Sequence, residues 1–120
     1  MAKRVLIVED EQDVADLISD VLGMEGFETC PSYGEIALDD ALSFRPDVIL
    51  LDLMMPVVDG FEVARQLRAH DATREVPIIV MTAMHGAASK AAEIGTPYVL
   101  PKPFDIEQLT LKVEDALRGP

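Results

Sequence analysis

Four short stretches place polar side chains where apolar runs end. "VLIVEDE" (5–11) sets Glu9, Asp10 and Glu11 directly after four apolar residues, and "DVILLDLMMP" (47–56) sets Asp52 inside an apolar run that ends at a proline. "MTA" (81–83) offers Thr82, and "PKPF" (101–104) holds Lys102 between two prolines. Burying an unpaired carboxylate costs several kcal/mol, more than one hydrogen bond returns, so Asp52 calls for a compensating charge. Carboxylates with no His or Cys among them are hard oxygen ligands suited to Mg²⁺, which takes few protein ligands and fills its octahedron with water and phosphate oxygens. A hydroxyl and a lysine suit a phosphoryl group, and a carboxylate can itself attack phosphorus and hold it as an aspartyl-phosphate. Asp52 is then a nucleophile, compensated by a metal on one side and Lys102 on the other.

Those residues act together only if the elements between them bring them to one place. "RVLIV" (4–8) is a continuous β-rich run, as in a strand covered on both faces. From Asp13, Val14, Leu17, Ile18, Val21 and Leu22 recur at helical spacing, and Gly23 and Gly26 close the pattern. "FETC" (27–30) reads as a second strand and 35–44 as a helix presenting Ala37, Leu38, Ala41 and Leu42, ended by Pro46. "DVILL" (47–51) is a third strand, and Gly60 precedes a helix carrying Val63, Ala64 and Leu67. "PIIVM" (77–81) is a fourth strand, 86–94 an alanine-rich helix and "YVL" (98–100) a fifth strand. The last helix, 105–117, turns Ile106, Leu109, Val113, Ala116 and Leu117 inward, with Asp105 as N-cap and Gln108 three positions on.

Five strand–helix alternations predict a parallel sheet with helices on both faces. Ligands of such sheets bind beyond the carboxyl ends of the strands. The stretches that follow strands one, three, four and five are those that hold the carboxylates, the hydroxyl and the amine.

Composition bounds the rest. The 120 residues suit one domain with a sizeable core, and with 49% apolar and 5% aromatic residues that core is aliphatic. A formal net charge of −12 argues against direct nucleic-acid binding and favours a cation or a basic partner. The single cysteine, Cys30, forms no internal disulfide and reads as small core filler. No apolar run reaches the roughly 18 residues of a membrane span and no signal peptide precedes the first strand, so a soluble, cytoplasmic protein is expected.

Together the four stretches, with "DVILLDLMMPVVDG" (47–60) in full, resemble the receiver domain of bacterial two-component response regulators, in order and over the whole chain, 1–120. The resemblance implies a flavodoxin-like, doubly wound sheet in the order 2-1-3-4-5. It implies that Asp52 is the phosphoacceptor, with Thr82 as switch hydroxyl and Lys102 as phosphate partner. Asp10, Asp52 and the backbone carbonyl of Met54 would hold Mg²⁺, with Glu9 directly or through water. Pro103 matches a proline that follows a cis peptide bond, and Gly60 the glycine opening the third helix. Implied partners are a sensor histidine kinase or histidine phosphotransfer protein, and a downstream protein or an output domain. The chain would not act on external substrates but would promote its own phosphorylation and dephosphorylation.

The same residues admit other readings. A pseudo-receiver would use the same fold as a phosphorylation-independent docking module. A phosphatase with an aspartyl nucleophile needs a second carboxylate where Met54 stands, and a flavin phosphate would be repelled by "EDE". Glu9 and Asp10 could form a solvated acidic loop, Asp52 a strand-end cap, and Thr82 a strand-end residue. Glu11 and Asp13 read as residues at a helix N-terminus. His70 and His85 read as exposed, and Met54, Met55, Met81 and Met84 as core or pocket-rim side chains.

Two departures from the family stand out. The aromatic often found three residues before the lysine falls on Val99, while Tyr98, one residue earlier, should point to the opposite face. Thr82 and Lys102 are 20 residues apart, about two fewer than is usual in the family, so the fourth helix should be short and weakly held.

Overall fold

The computed structural model describes residues 2–83 and 85–119. Strands β1 (Arg4–Val8), β2 (Glu28–Ser32), β3 (Val48–Asp52), β4 (Ile78–Thr82) and β5 (Tyr98–Pro101) alternate with helices α1 (Gln12–Met24), α2 (Ala37–Phe44), α3 (Gly60–Ala69), α4 (Ala87–Ile94) and α5 (Ile106–Arg118). All strands pair in parallel, in the order β2-β1-β3-β4-β5.

The apolar runs are continuous because both faces of the sheet are covered, and the two-residue strand period sorts alternate side chains into two layers. Val5, Ile7, Val48, Leu50, Ile79 and Met81 meet Ile18 and Leu22 of α1 and Leu109 and Val113 of α5. Leu6, Val8, Ile49, Leu51, Ile78 and Val80 meet Ala37 and Ala41 of α2, Val63 and Leu67 of α3 and Ala91 of α4. The order reverses between β1 and β3, and a doubly wound sheet opens a crevice at the carboxyl ends of such a pair.

Some expectations need correction. Leu17 and Ile106 follow the helical pattern but are 62% and 60% exposed. In α1 the small Ala15 is buried instead, and Ile106 is the first residue of α5, outside the inward set of Leu109, Val113 and Ala116. Strand β2 runs through Pro31 to Ser32 rather than stopping at Cys30. As an edge strand it can hold a proline, since one side of it needs no ladder donor. Cys30 is only partly buried, against the α2–α4 layer. Helix α4 is short, as expected, and buries Ala91 alone.

The helix starts follow capping chemistry. Asp105 and Gln108 form a reciprocal capping box at α5, with Gln108 N–H donating to Asp105 at 2.8 Å and Asp105 N–H to Gln108 at 2.9 Å. Asp59 caps α3 by accepting the Phe61 N–H at 2.9 Å. Gly60, which follows it, has no room for a side chain. A Cβ there would lie 2.9 Å from the Asp52 carbonyl oxygen and 2.9 Å from Leu53 Cα. The start of α3 therefore rests directly on the end of β3.

Candidate functional site

Asp52 is the last residue of β3, 2% exposed. Its carboxylate is held at both oxygens: Oδ1 accepts the Met54 backbone N–H at 2.9 Å, and Oδ2 faces Lys102 Nζ at 3.2 Å. Lys102 reaches it from beyond β5, and its backbone N–H donates to the Thr82 carbonyl at 2.9 Å, tying the ends of β4 and β5 together. The Lys102–Pro103 peptide is cis, as the resemblance implied.

Glu9 is 1% exposed, which removes the reading of it as a solvated loop residue. Its backbone N–H donates to the Ser32 carbonyl at 3.0 Å, extending the β1–β2 pairing one residue further. One carboxylate oxygen accepts the Glu11 N–H at 3.2 Å, and the other lies 3.5 Å from Lys102 Nζ without completing a hydrogen bond. Asp10 is half-buried beside it, and carboxylate oxygens of Glu9, Asp10 and Asp52 all lie within 4.8 Å of one another.

The electrostatics are unbalanced. Burial pushes the Glu9 carboxyl up to about 7, with hydrogen bonding and like charge from Asp52 adding to it; the Glu11 N–H and Lys102 work the other way. Burial pulls the Lys102 amine down, but Asp52 and Glu9 outweigh it and hold its pKa above the usual lysine value. One ammonium thus serves a cluster of three carboxyl groups. An all-oxygen set with an unsatisfied buried oxygen and a deficit of positive charge fits a hard divalent cation, with Mg²⁺ the natural match.

Thr82 ends β4 at 1% exposure, one residue past Met81, the register partner of Asp52. Met54 is 48% exposed, and its Sδ accepts the Ala83 N–H at 3.4 Å, so its side chain lies across the mouth between β3 and β4. Met84 lies outside the described residues. Met55 and Met81 are core side chains at 7% and 0% exposure. His70, His85, Glu11 and Asp13 are exposed, as expected.

Tyr98 packs with the α1/α5 layer and Val99 with the α2–α4 layer, so the two do face opposite ways. The sequence reading missed the Glu9–Lys102 ion pair and the Met54–Ala83 contact. It also missed Thr96, which is 6% exposed; its hydroxyl donates to the Ile78 carbonyl at 2.5 Å and accepts the Tyr98 N–H at 3.2 Å. A polar residue just before an apolar strand was the available signal for Thr96. Contacts between distant loops leave no such mark.

Comparison with known proteins agrees with this geometry. A family model described as the response regulator receiver domain matches residues 5–114. The response regulator ArlR of Staphylococcus saprophyticus is 41% identical over 118 residues, covering 96% of this chain and 52% of that protein. The chain spans from a quarter to about half the length of the curated relatives it matches. Among solved structures, the chemotaxis response regulator CheY4 of Vibrio cholerae superposes with a TM-score of 0.88 at 30% identity, over 98% of this chain and 100% of that one. The receiver domain of the sensor histidine kinase PA1611 of Pseudomonas aeruginosa, solved with a magnesium ion in its active-site cleft, gives a TM-score of 0.87 at 30% identity, over 99% and 100%.

Proposed function

The chain belongs to the response regulator receiver domain family, and we propose that residues 1–120 form one receiver unit that takes a phosphoryl group on Asp52 from a phosphohistidine. One observation carries the assignment: Asp52 is buried at a strand end with one oxygen on a backbone N–H and the other on Lys102, beside two further carboxylates.

The chemistry follows from that placement. A carboxylate oxygen of Asp52 attacks phosphorus, the phosphorus–nitrogen bond breaks, and the imidazole leaves with the electron pair and takes up a proton. The Met54 N–H holds Asp52 in one orientation before attack. Lys102 stabilises charge on the transferred oxygens, and Thr82 reaches them from the neighbouring strand. Asp10, Asp52 and the Met54 carbonyl would hold Mg²⁺, with Glu9 directly or through water. When bound, the ion neutralises charge between the carboxylates and the phosphoryl oxygens. The residues that promote transfer are also those that expose the product to in-line attack by water, so the receiver promotes its own phosphorylation and dephosphorylation rather than turning over external substrates.

The donor is a sensor histidine kinase or a histidine phosphotransfer protein. The readout is a changed surface read by a downstream protein or by an output domain, such as the longer relatives have room for. A net charge of −12 disfavours direct contact with nucleic acid. Among the described residues no helix is long and apolar enough to cross a membrane, and we place the protein in the cytoplasm with its donor. Nothing in the site favours the docking module without phosphorylation, since Asp52, Thr82 and Lys102 occupy adjacent strand ends.

The test is incubation with a small phosphodonor and Mg²⁺, read by intact mass. Wild type gains one phosphoryl group and Asp52→Asn gains none. Retention of the label by Asp52→Asn would show that another residue is the acceptor.

A further inference from the structure

Among the described residues the methionines occupy three environments. Met55 and Met81 are 7% and 0% exposed and belong to the core. Met24 is 85% exposed at the last turn of α1, which begins beside the acidic cluster and runs away from it. Met54 is different from both. It is 48% exposed, its N–H is bonded to Asp52 Oδ1 at 2.9 Å, and its Sδ accepts the Ala83 N–H at 3.4 Å.

That thioether occupies a donor the site has use for. A phosphoryl group on Asp52 brings oxygens that need hydrogen-bond donors, and Ala83 follows directly on Thr82 at the end of β4. Thioether sulfur is a weak acceptor, so an incoming oxygen displaces it easily. A sulfoxide oxygen is a strong acceptor on a polar, less compliant side chain, and it gives the donor up far less readily.

The geometry points to Met54 as an oxidation site that controls entry to the acceptor pocket, an inference that rests on Asp52 being the acceptor. A hydroperoxide is the reagent class. The sulfur lone pair attacks the outer peroxide oxygen, the O–O bond breaks and an S–O bond forms. Sulfur loses two electrons, and the peroxide is reduced to water or an alcohol. Met54 sulfoxide then holds the Ala83 N–H and keeps its bulk across the mouth. Methionine sulfoxide reductases reverse the change. Half-exposure makes Met54 reachable, while burial protects Met55 and Met81.

The experiment treats the protein with hydrogen peroxide, maps oxidation by peptide mass, and measures labelling by a small phosphodonor with Mg²⁺ before and after. Wild type should slow about fivefold once Met54 carries one oxygen, and recover with reductases A and B. Met24→Leu should respond to peroxide as wild type does. In Met54→Leu the ratio of treated to untreated rate should stay near one, whatever its starting rate. In wild type the Ala83 amide proton should also move downfield on oxidation, a signature that general loosening does not produce. Unchanged labelling with Met54 fully oxidised overturns the proposal, and so does equal peroxide sensitivity in Met54→Leu. An untreated protein that takes no label overturns the reading of Asp52 instead, and the Ala83 shift still decides whether the sulfoxide holds that N–H.

Discussion

Replacing Gly60 with alanine tests whether α3 must rest on the acceptor strand. In an open helix the change is favourable by about 0.5–1 kcal/mol, because alanine loses less backbone freedom on folding. At Gly60 the new methyl would meet the Asp52 carbonyl oxygen at 2.9 Å, Leu53 Cα at 2.9 Å and Leu53 Cδ2 at 3.0 Å. Two of those atoms are backbone, so no rotamer change relieves them. Restoring ordinary contact requires α3 and the end of β3 to part by roughly half an ångström, an overpacking strain of about 1–3 kcal/mol. The net expectation is a loss of about 1.5 kcal/mol, which at a urea slope of about 1.5 kcal/mol/M lowers the unfolding midpoint by about 1 M. Gly23 is the matched control: it lies in the last turn of α1, and a Cβ there meets nothing within 4 Å. Gly23→Ala should leave the midpoint unchanged or raise it. Because the shift falls on Asp52, the proposed acceptor, Gly60→Ala should also slow its labelling by about tenfold or more. Equal midpoints for Gly60→Ala and Gly23→Ala, with equal labelling rates, would refute the claim that contact with β3 is what demands glycine.

Mg²⁺ at ten times its Kd should stabilise wild type by about 1.4 kcal/mol, read as a rise of roughly 5 °C in Tm, and Asp10→Ala should lose most of that rise; equal, unchanged Tm values in both proteins would mean the cation site does not form. Thr96→Val keeps the shape but removes the hydroxyl's bonds to the Ile78 carbonyl and the Tyr98 N–H, and should cost about 1–2 kcal/mol in urea denaturation without altering labelling of Asp52. The phosphorylated protein should lose its label slowly, because the thioether of Met54 stands at the pocket mouth and offers no strong donor to orient water. Replacing Met54 with asparagine should speed that loss, and an unchanged decay would show that polarity at this position does not set the lifetime.

The sheet was legible because each strand except β2 is a compact apolar run, and a run buried on both faces has few other places to be. Its polar punctuation located the site, since Glu9, Asp52, Thr82 and Lys102 each fall where such a run ends. The helices were less legible at their margins. Leu17 and Ile106 obey the helical period, but a period fixes a face and not how far the sheet extends beneath it. Glu9 shows the limit for charge: its position could be read, while its burial, its ion pair with Lys102 and its raised pKa depend on side chains converging from β1, β3 and the segment after β5. The Met54–Ala83 contact joins residues 29 apart in sequence and has no periodic signature at all.

Tyr98 and Val99 carry the same reasoning to the readout. Strand alternation predicts that adjacent residues face opposite layers, and they do: Tyr98 joins the α1/α5 side, paired with Ile79, while Val99 joins the α2–α4 side, paired with Val80. An aromatic ring that follows Thr82 into the pocket would have to stand at 99, and a valine stands there instead. The Thr82 backbone is tied to the segment after β5, its carbonyl accepting the Lys102 N–H at 2.9 Å. The chain also leads through Ala83 toward α4, whose one fully buried residue is Ala91, with Ile94 partly buried against the same core layer. A helix with so small a buried face would shift at low cost if phosphorylation of Asp52 moved the end of β4, and under the proposed function the same small residues that weaken α4 would let it transmit the change.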